Sequence, residues 1–314
     1  METILITGGS GFLGRHLALK LKDRYKVVLA ARNNGNNQLA QVKTDCTVIP
    51  MDITNISSIY DAVNEFKPSR IIHAAATKYV DVSEQYPMEC IDINIVGSQN
   101  IARVAMEKGV KSVVGVSTDK AAPPVGNIYG HSKAVMERMF CSLDKKSNTR
   151  FSCVRFGNIT WSTGSVFPIW ERMIKMHGKI ESTGPEQRRF FFSANEASDL
   201  VIAAMENMEI VHGGILSLKM KSAQISDILD VWTKEQNVKW EKIASRPGDK
   251  LDEVLIGAIE LPYTSEIVLN NRNFYLINFD QKKENDLDTE IASYNAERLN
   301  PQEISFLINN PPSI

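Results

Sequence analysis

The segment Thr7-Gly8-Gly9-Ser10-Gly11-Phe12-Leu13-Gly14 constrains this chain more than any other. It follows an apolar run at residues 4–6 and opens a helical pattern over 12–22. Glycines there allow a tight strand-to-helix turn and let backbone approach an anion at a helix N-terminus. In that context the segment reads as a cradle for a dinucleotide pyrophosphate; the plainer alternative is a tight turn with no ligand. Further β-branched apolar runs lie at residues 26–31, 47–51, 70–74, 112–117 and 151–156, with helical periodicity between several of them. The clearest helix is predicted over 87–108, ending at Gly109. Such alternation predicts an α/β, doubly wound parallel sheet of the Rossmann type. The rhythm breaks after about residue 156. Helical patterns return at 196–208, 226–236 and 301–308, separated by a polar charge run at 280–290. We therefore expect a dinucleotide-binding domain over 1–164, rejoined by segments near 190–220 and 265–280. Residues 165–314 would form mainly a smaller, mixed substrate domain.

Composition narrows the function classes. Hydrophobic residues are 43% and charged residues 23%, which excludes disorder. With 36 basic and 37 acidic side chains, the net charge of -1 offers no footprint for nucleic acid or a membrane surface. No apolar run approaches the ~18–20 residues of a membrane span. The chain leads directly into its first strand, so no signal peptide is expected. The four cysteines, Cys46, Cys90, Cys141 and Cys153, are scattered without metal spacing. Thiols in a reducing compartment, the cytosol, are the expectation, with no metal site.

The second strand ends in Ala31-Arg32-Asn33. An acidic residue there would take ribose hydroxyls and point to NAD; Arg32 suits a 2′-phosphate and points to NADP. The alternative is a solvated surface arginine. Asp52, after the third strand, could accept from an adenine amino group or cap the next helix. Ser117-Thr118-Asp119-Lys120 closes the fifth strand, and Tyr129 and Lys133 follow, four apart and so on one helix face. A lysine beside that tyrosine would lower the phenol's pKa and make it a usable base, with Thr118 donating to the same oxygen.

These segments, with residues 73–80, 86–91, 94–100, 117–122, 155–158, 164–166, 189–191 and 246–251, resemble the inverting UDP-N-acetylglucosamine 4,6-dehydratases. Those enzymes are extended short-chain dehydrogenase/reductases of bacterial flagellin-glycan and capsule biosynthesis, and the similarity runs nearly the whole chain in order. The Asp119-Lys120 pair is its most specific element, since non-inverting sugar dehydratases are expected to have Asp-Glu there. Two departures stand out: an extra residue near Gly126, and Gln187-Arg188-Arg189 where the family has a single arginine after threonine.

The resemblance implies NADP held by Thr7, Gly8, Gly11, Phe12, Leu13, Gly14, Arg32, Asn33, Asp52, Ile53, Ala74, Ala75, Ala76, Lys78, Asn94, Tyr129 and Lys133. It implies a UDP-sugar held by Lys78, Asn158, Ser165, Val166, Arg189, Arg246 and Lys250, and a homo-oligomer. It also implies a reaction. Tyr129 takes the 4-hydroxyl proton while hydride leaves carbon 4 for NADP. Lys120 takes the carbon 5 proton, and protonated Asp119 serves the departing 6-hydroxyl. Hydride then returns to carbon 6. Lys120 must be neutral to act, and burial, Lys133 and the nicotinamide are expected to lower its pKa against Asp119. The rivals are a nucleotide-sugar 4-epimerase, which needs no Asp119-Lys120 pair, and an inactive NADP-binding regulatory protein of the same fold.

Overall fold

The protein is described here from a computed structural model over residues 1–244, 250–282 and 287–313. Arg246 and residues 283–286 of the charge run lie outside these. The first half alternates strand and helix. It runs β1 (Thr3–Thr7), α1 (Phe12–Leu21), β2 (Lys26–Ala31), α2 (Asn34–Thr44), β3 (Thr47–Pro50), α3 (Ile56–Phe66) and β4 (Arg70–His73). After these come α4 (Val80–Gln85), α5 (Pro87–Ile91), a π-helical turn Asp92–Val96, α6 (Gly97–Glu107) and β5 (Ser112–Val116). A 3-10 turn at Asp119–Ala121 then leads to α7 (Ile128–Asp144) and β6 (Arg150–Arg155).

The strands β1, β2, β4, β5 and β6 are almost wholly buried because helices cover both faces of the sheet, which is why they read as continuous apolar runs. Helix ends follow local chemistry. The Asn33 and Asn55 side chains accept amides in the first turns of α2 and α3, and Gly109, at φ +67, follows α6.

The second half is mixed. It runs β7 (Asn158–Ile159), α8 (Val166–His177), β8 (Lys179–Thr183), β9 (Arg188–Phe192), α9 (Ala194–Glu206), α10 (Met208–Val211), β10 (Ile215–Leu218) and β11 (Ser222–Gln224). Next are α11 (Ile225–Gln236), β12 (Lys239–Ile243), β13 (Val254–Ile256), β14 (Thr264–Leu269), β15 (Arg272–Ile277), β16 (Ile291–Ala292) and α12 (Pro301–Asn309). The main sheet has nine strands in the order β14-β15-β10-β6-β5-β4-β1-β2-β3. It is parallel from β10 to β3, and β15 and β14 add an antiparallel edge. Strand order reverses between β1 and β4, so a crevice opens beyond their carboxyl ends. A second apolar cluster, built on Phe167, Trp170, Phe191, Trp232 and Leu307, holds α8, α11 and α12 together.

A buried polar chain ties the switch point together. The Ala75 amide donates to Thr7 Oγ1 at 3.2 Å, and Thr7 lies 2.8 Å from His73 Nδ1. On the other side His73 Nε2 lies 3.0 Å from Ser98 Oγ, which donates to the Asn94 carbonyl. The Ser98 proton is committed, so His73 donates from Nε2 and accepts at Nδ1, a neutral ring. Burial lowers its pKa to about 3. The unfolded chain therefore binds one more proton between that value and the ordinary value of 6.5. Stability is expected to fall as pH drops through this window, by at most ~1.4 kcal/mol per pH unit from this group. Urea unfolding of His73→Asn from about pH 7 to about pH 4 should show a shallower loss than wild type. Equal slopes would remove His73 as the cause.

Candidate active site

A cavity of about 660 Å³ fills the crevice, a size suited to a cofactor and a small substrate. Its floor is the glycine turn. Gly8 has φ +67, and a Cβ there would lie 2.8 Å from the Ala75 amide nitrogen. A Cβ on Gly14 would lie 2.5 Å from the Gly9 carbonyl oxygen. No side chain caps α1 at Gly11, so the amides of its first turn remain for an anion. Ser117 Oγ, also on the wall, is buried without a partner. This close-packed, uncapped, positively polarised turn fits a dinucleotide pyrophosphate.

Gly8, Gly11, Phe12, Leu13, Gly14, Arg32, Asn33, Ile53, Ala74, Ala75, Ala76, Lys78, Tyr129 and Lys133 all line the cavity, as do Thr118, Lys120, Asn158 and Ser165. Several expected residues do not. Thr7 and Asn94 lie behind the wall and act through others. Asn94 holds Thr77 from both sides, accepting its amide at 2.9 Å and donating to its carbonyl at 3.1 Å, and it also donates to Ser132 Oγ on α7. The helix expected over 87–108 is interrupted at Asn94 by the π turn, which aims that amide sideways. Asp52 neither lines the cavity nor caps α3. Its carboxylate accepts from the amide and hydroxyl of Thr54, and Asn55 is the cap. Val166 begins α8 beside the wall.

The expected anion-binding arginine is engaged elsewhere. Arg189 donates to the carbonyls of Arg188, Lys250 and Leu251 and to Gln187 Oε1, while Arg188 pairs with Asp252. Both guanidiniums thus hold the chain at 250–252, and neither lines the cavity. Lys250 donates to the Pro124 carbonyl and lies over Gly126, so the extra residue near Gly126 is covered by this segment. Lys78 lines the cavity, but its amine donates to the Thr163 carbonyl. The Tyr79 ring fills the space a Gly164 side chain would need, so residues 78–79 clasp residues 163–164.

The catalytic candidates converge. Asp119 and Lys120 lie on the 3-10 turn after β5, anchored by the Asp119 amide on the Phe156 carbonyl. Lys120 Nζ donates to Asp119 Oδ1 at 3.0 Å, and Thr118 donates to the same oxygen at 3.0 Å. Asp119 Oδ2 is buried with no partner among the described residues. Tyr129 and Lys133 share one buried face of α7, with Lys133 donating to the Val116 carbonyl.

Two electrostatic expectations are overturned. Burial raises the Tyr129 phenol to about 12, against opposing effects of Lys120 and Thr118. Burial lowers Lys133 itself to about 8. Burial also lowers Lys120, but Asp119 and Glu253 outweigh it and hold the amine charged, above the ordinary lysine range. Glu253, which sequence reasoning missed, has Oε1 3.6 Å from Lys120 Nζ. It stands just beyond the 246–251 motif, yet nothing local marks it as a partner of Lys120.

Gly130 sets the spacing between the two halves of this group. A Cβ there would lie 2.2 Å from the Lys120 carbonyl oxygen. Gly130→Ala is expected to lose about 1–3 kcal/mol in urea unfolding through overpacking. Gly35→Ala on α2, where the nearest atom is 3.5 Å away, should be neutral or stabilising by up to ~1 kcal/mol. Equal losses at both positions would refute this account of Gly130.

Comparison with known proteins gives the site its context. A family model described as polysaccharide biosynthesis protein matches residues 4–268. The UDP-N-acetylglucosamine 4,6-dehydratase (inverting) of Campylobacter jejuni is 32% identical over 287 residues, covering 88% of this chain and 82% of that protein. A UDP-glucose 4-epimerase of Rickettsia bellii is 29% identical over 338 residues, covering 98% of this chain and 96% of that one. Among solved structures, Pen from Bacillus thuringiensis superposes with a TM-score of 0.88 at 30% identity, covering 98% of this chain and 96% of that one.

Proposed function

Because this chain belongs to the polysaccharide biosynthesis protein family, we propose that it is a nucleotide-sugar 4,6-dehydratase. It converts UDP-N-acetylglucosamine to the 4-keto-6-deoxy sugar nucleotide with inversion at carbon 5, the arabino configuration. One observation carries the reading: Lys120 and Tyr129 line one cavity above the glycine turn, and Asp119, buried behind that wall, is ion-paired to Lys120. A bound oxidised dinucleotide supplies the site with a hydride acceptor that later returns the hydride. The glycine turn and the first turn of α1 would hold its pyrophosphate, and Ile53 and Ala74 to Ala76 would line its path.

The side chains divide the proton work. Tyr129 acts as the base for the 4-hydroxyl in its phenolate form, after releasing its own proton to solvent, and the positive charge of Lys120 favours that form against the effect of burial. At rest Lys120 is charged, so it becomes a base by passing its proton to Asp119 across 3.0 Å. That transfer yields a neutral amine and a carboxylic acid. The amine takes the carbon 5 proton, and the acid protonates the leaving 6-hydroxyl. The resting ion pair is thereby restored, and a proton from solvent reaching carbon 5 from the opposite face completes the inverted centre. Asn158, Ser165 and Lys78 orient the sugar end.

The second reading, a nucleotide-sugar 4-epimerase, is favoured by the epimerase relative that matches nearly the whole chain. Epimerisation at carbon 4 moves no proton at carbon 5, so incubation with UDP-N-acetylglucosamine in deuterated water separates the readings. The expected product is a 4-keto-6-deoxy sugar with deuterium at carbon 5. A 4-epimer would favour the second reading, and an unchanged sugar a regulatory protein without turnover. Lys120→Ala should keep dinucleotide binding and lose dehydration by at least about a hundredfold. Normal turnover would remove Lys120 from the reaction.

We assign NADP over NAD on Arg32, which is exposed at the cavity's end after β2 with no acidic residue beside it. Arg32→Ala is expected to weaken NADP binding by roughly tenfold or more while leaving NAD binding unchanged, read by titration calorimetry. Equal effects on both would refute the assignment. The reading is of a cytoplasmic enzyme, supported by four buried, unpaired cysteines. It includes self-association, supported by exposed Val82, Tyr86, Met88 and Val135 on or beside the neighbouring helices α4, α5 and α7.

A further inference from the structure

Lys120 is met by charge from elements far apart in sequence. Asp119 comes from its own turn at 3.0 Å, and Glu253, on the approach to β13, stands 3.6 Å away. Arg189 on β9 faces Glu253 from the other side, its Nε 3.8 Å from the same Oε1. Tyr129 on α7 completes the ring of titratable groups around the amine. The Glu253 side chain is only 8% exposed and the Lys120 side chain 20%. Glu253 is also fixed at both ends of its peptide. Its amide donates to Ser293 Oγ at 3.0 Å, and its carbonyl accepts the Ser293 amide at 2.8 Å. Ser293 is fully buried and bonded to Asp252. The backbone that carries this carboxylate is thus fixed beside the lysine.

We propose that Glu253 is the positioning residue of the acid–base pair: it holds the Lys120 amine beside Asp119 and favours its charged form. This deepens the dehydratase reading and rests on it for the chemistry, but the charge relation is a property of the folded chain. Asp119 is the nearer carboxylate and bonds the amine directly, at 3.0 Å against 3.6 Å for Glu253, so it is the one that takes the Lys120 proton. Glu253 accepts no proton in the reaction. It stabilises the ammonium before transfer and after carbon 5 has been deprotonated. Arg189 acts in the opposite sense, partly neutralising Glu253 and repelling the ammonium.

The test measures acylation of Lys120 by acetic anhydride across pH in the full chain, with the Lys120 peptide read by mass spectrometry. Glu253→Gln should move the midpoint down by at least about one pH unit, a tenfold change in proton concentration. Glu253→Asp should return it towards wild type, and Arg189→Gln should move it up. Transfer from Lys120 to Asp119 takes up no proton from solution, so the acylation midpoint is the deciding readout; a merely structural role would leave that midpoint in place. An unmoved midpoint in folded Glu253→Gln would overturn the proposal. Should that variant fail to fold, a downward or absent shift in Arg189→Gln would overturn it instead. If the midpoints shift while the wild type does not dehydrate the sugar, the dehydratase reading fails and the Glu253 assignment stands. Dehydration with unmoved midpoints sinks only the assignment.

Discussion

The buried guanidinium of Arg155 is the interaction on which the rest of the site depends. It is 1% exposed and spends every donor inside the protein. Two bonds go to Glu137 on α7, two to Glu260 in the 3-10 segment Ala258–Tyr263, and one to the Leu255 carbonyl in β13. Its own carbonyl accepts from Ser217 of β10. One residue of β6 thus joins the main sheet, the helix bearing Tyr129 and the segment bearing Glu253. Breaking such a buried pair costs about 3–5 kcal/mol, because the remaining charges are left without water or partner. The two carboxylates balance one guanidinium with one negative charge over, and both raise the Arg155 pKa against the effect of burial.

From that anchor the geometry of the cavity follows. With α7 fixed against β6, Gly130 can lie on the Lys120 carbonyl, which brings the phenol helix and the acid–base turn together. With β13 fixed against β6, the segment between residues 250 and 256 runs along the same turn, so Lys250 reaches Pro124 and Glu253 reaches Lys120. The two arginines of β9 secure this segment through its carbonyls and Asp252. Their role in support explains why neither opens into the cavity.

Much of this was legible in sequence, and for physical reasons. Parallel strands covered on both faces must be continuously apolar, so β1 to β6 announce themselves, and glycines that meet backbone at under 3 Å can be nothing else. The Asp119-Lys120 pair and Tyr129/Lys133 were visible because turns and helices relate residues a few positions apart. Periodicity alone places the start of α9 at 196, whereas the helix begins at Ala194 because Ser193 and Glu196 form a reciprocal capping box. What sequence could not disclose was long-range charge. Glu253 meets Lys120 only through the fold, and the pull of two carboxylates on one amine reversed the expected direction of its pKa. The bonds of Arg189 to the Lys250 and Leu251 carbonyls were hidden similarly, since that chain approaches from sixty residues away.

The π turn at Asp92–Val96 has a consequence for how this region tolerates change. An α-helix rotates about 100° for each residue, and the wide turn accommodates one residue more than a regular turn would. Removing a single residue would regularise the backbone ladder, yet it would swing Asn94 around the axis. Thr77 and Ser132 would then lose their shared amide together. Substitutions on the outer face leave that phase untouched, whereas a one-codon deletion would unseat the cavity wall and the phenol helix in a single event.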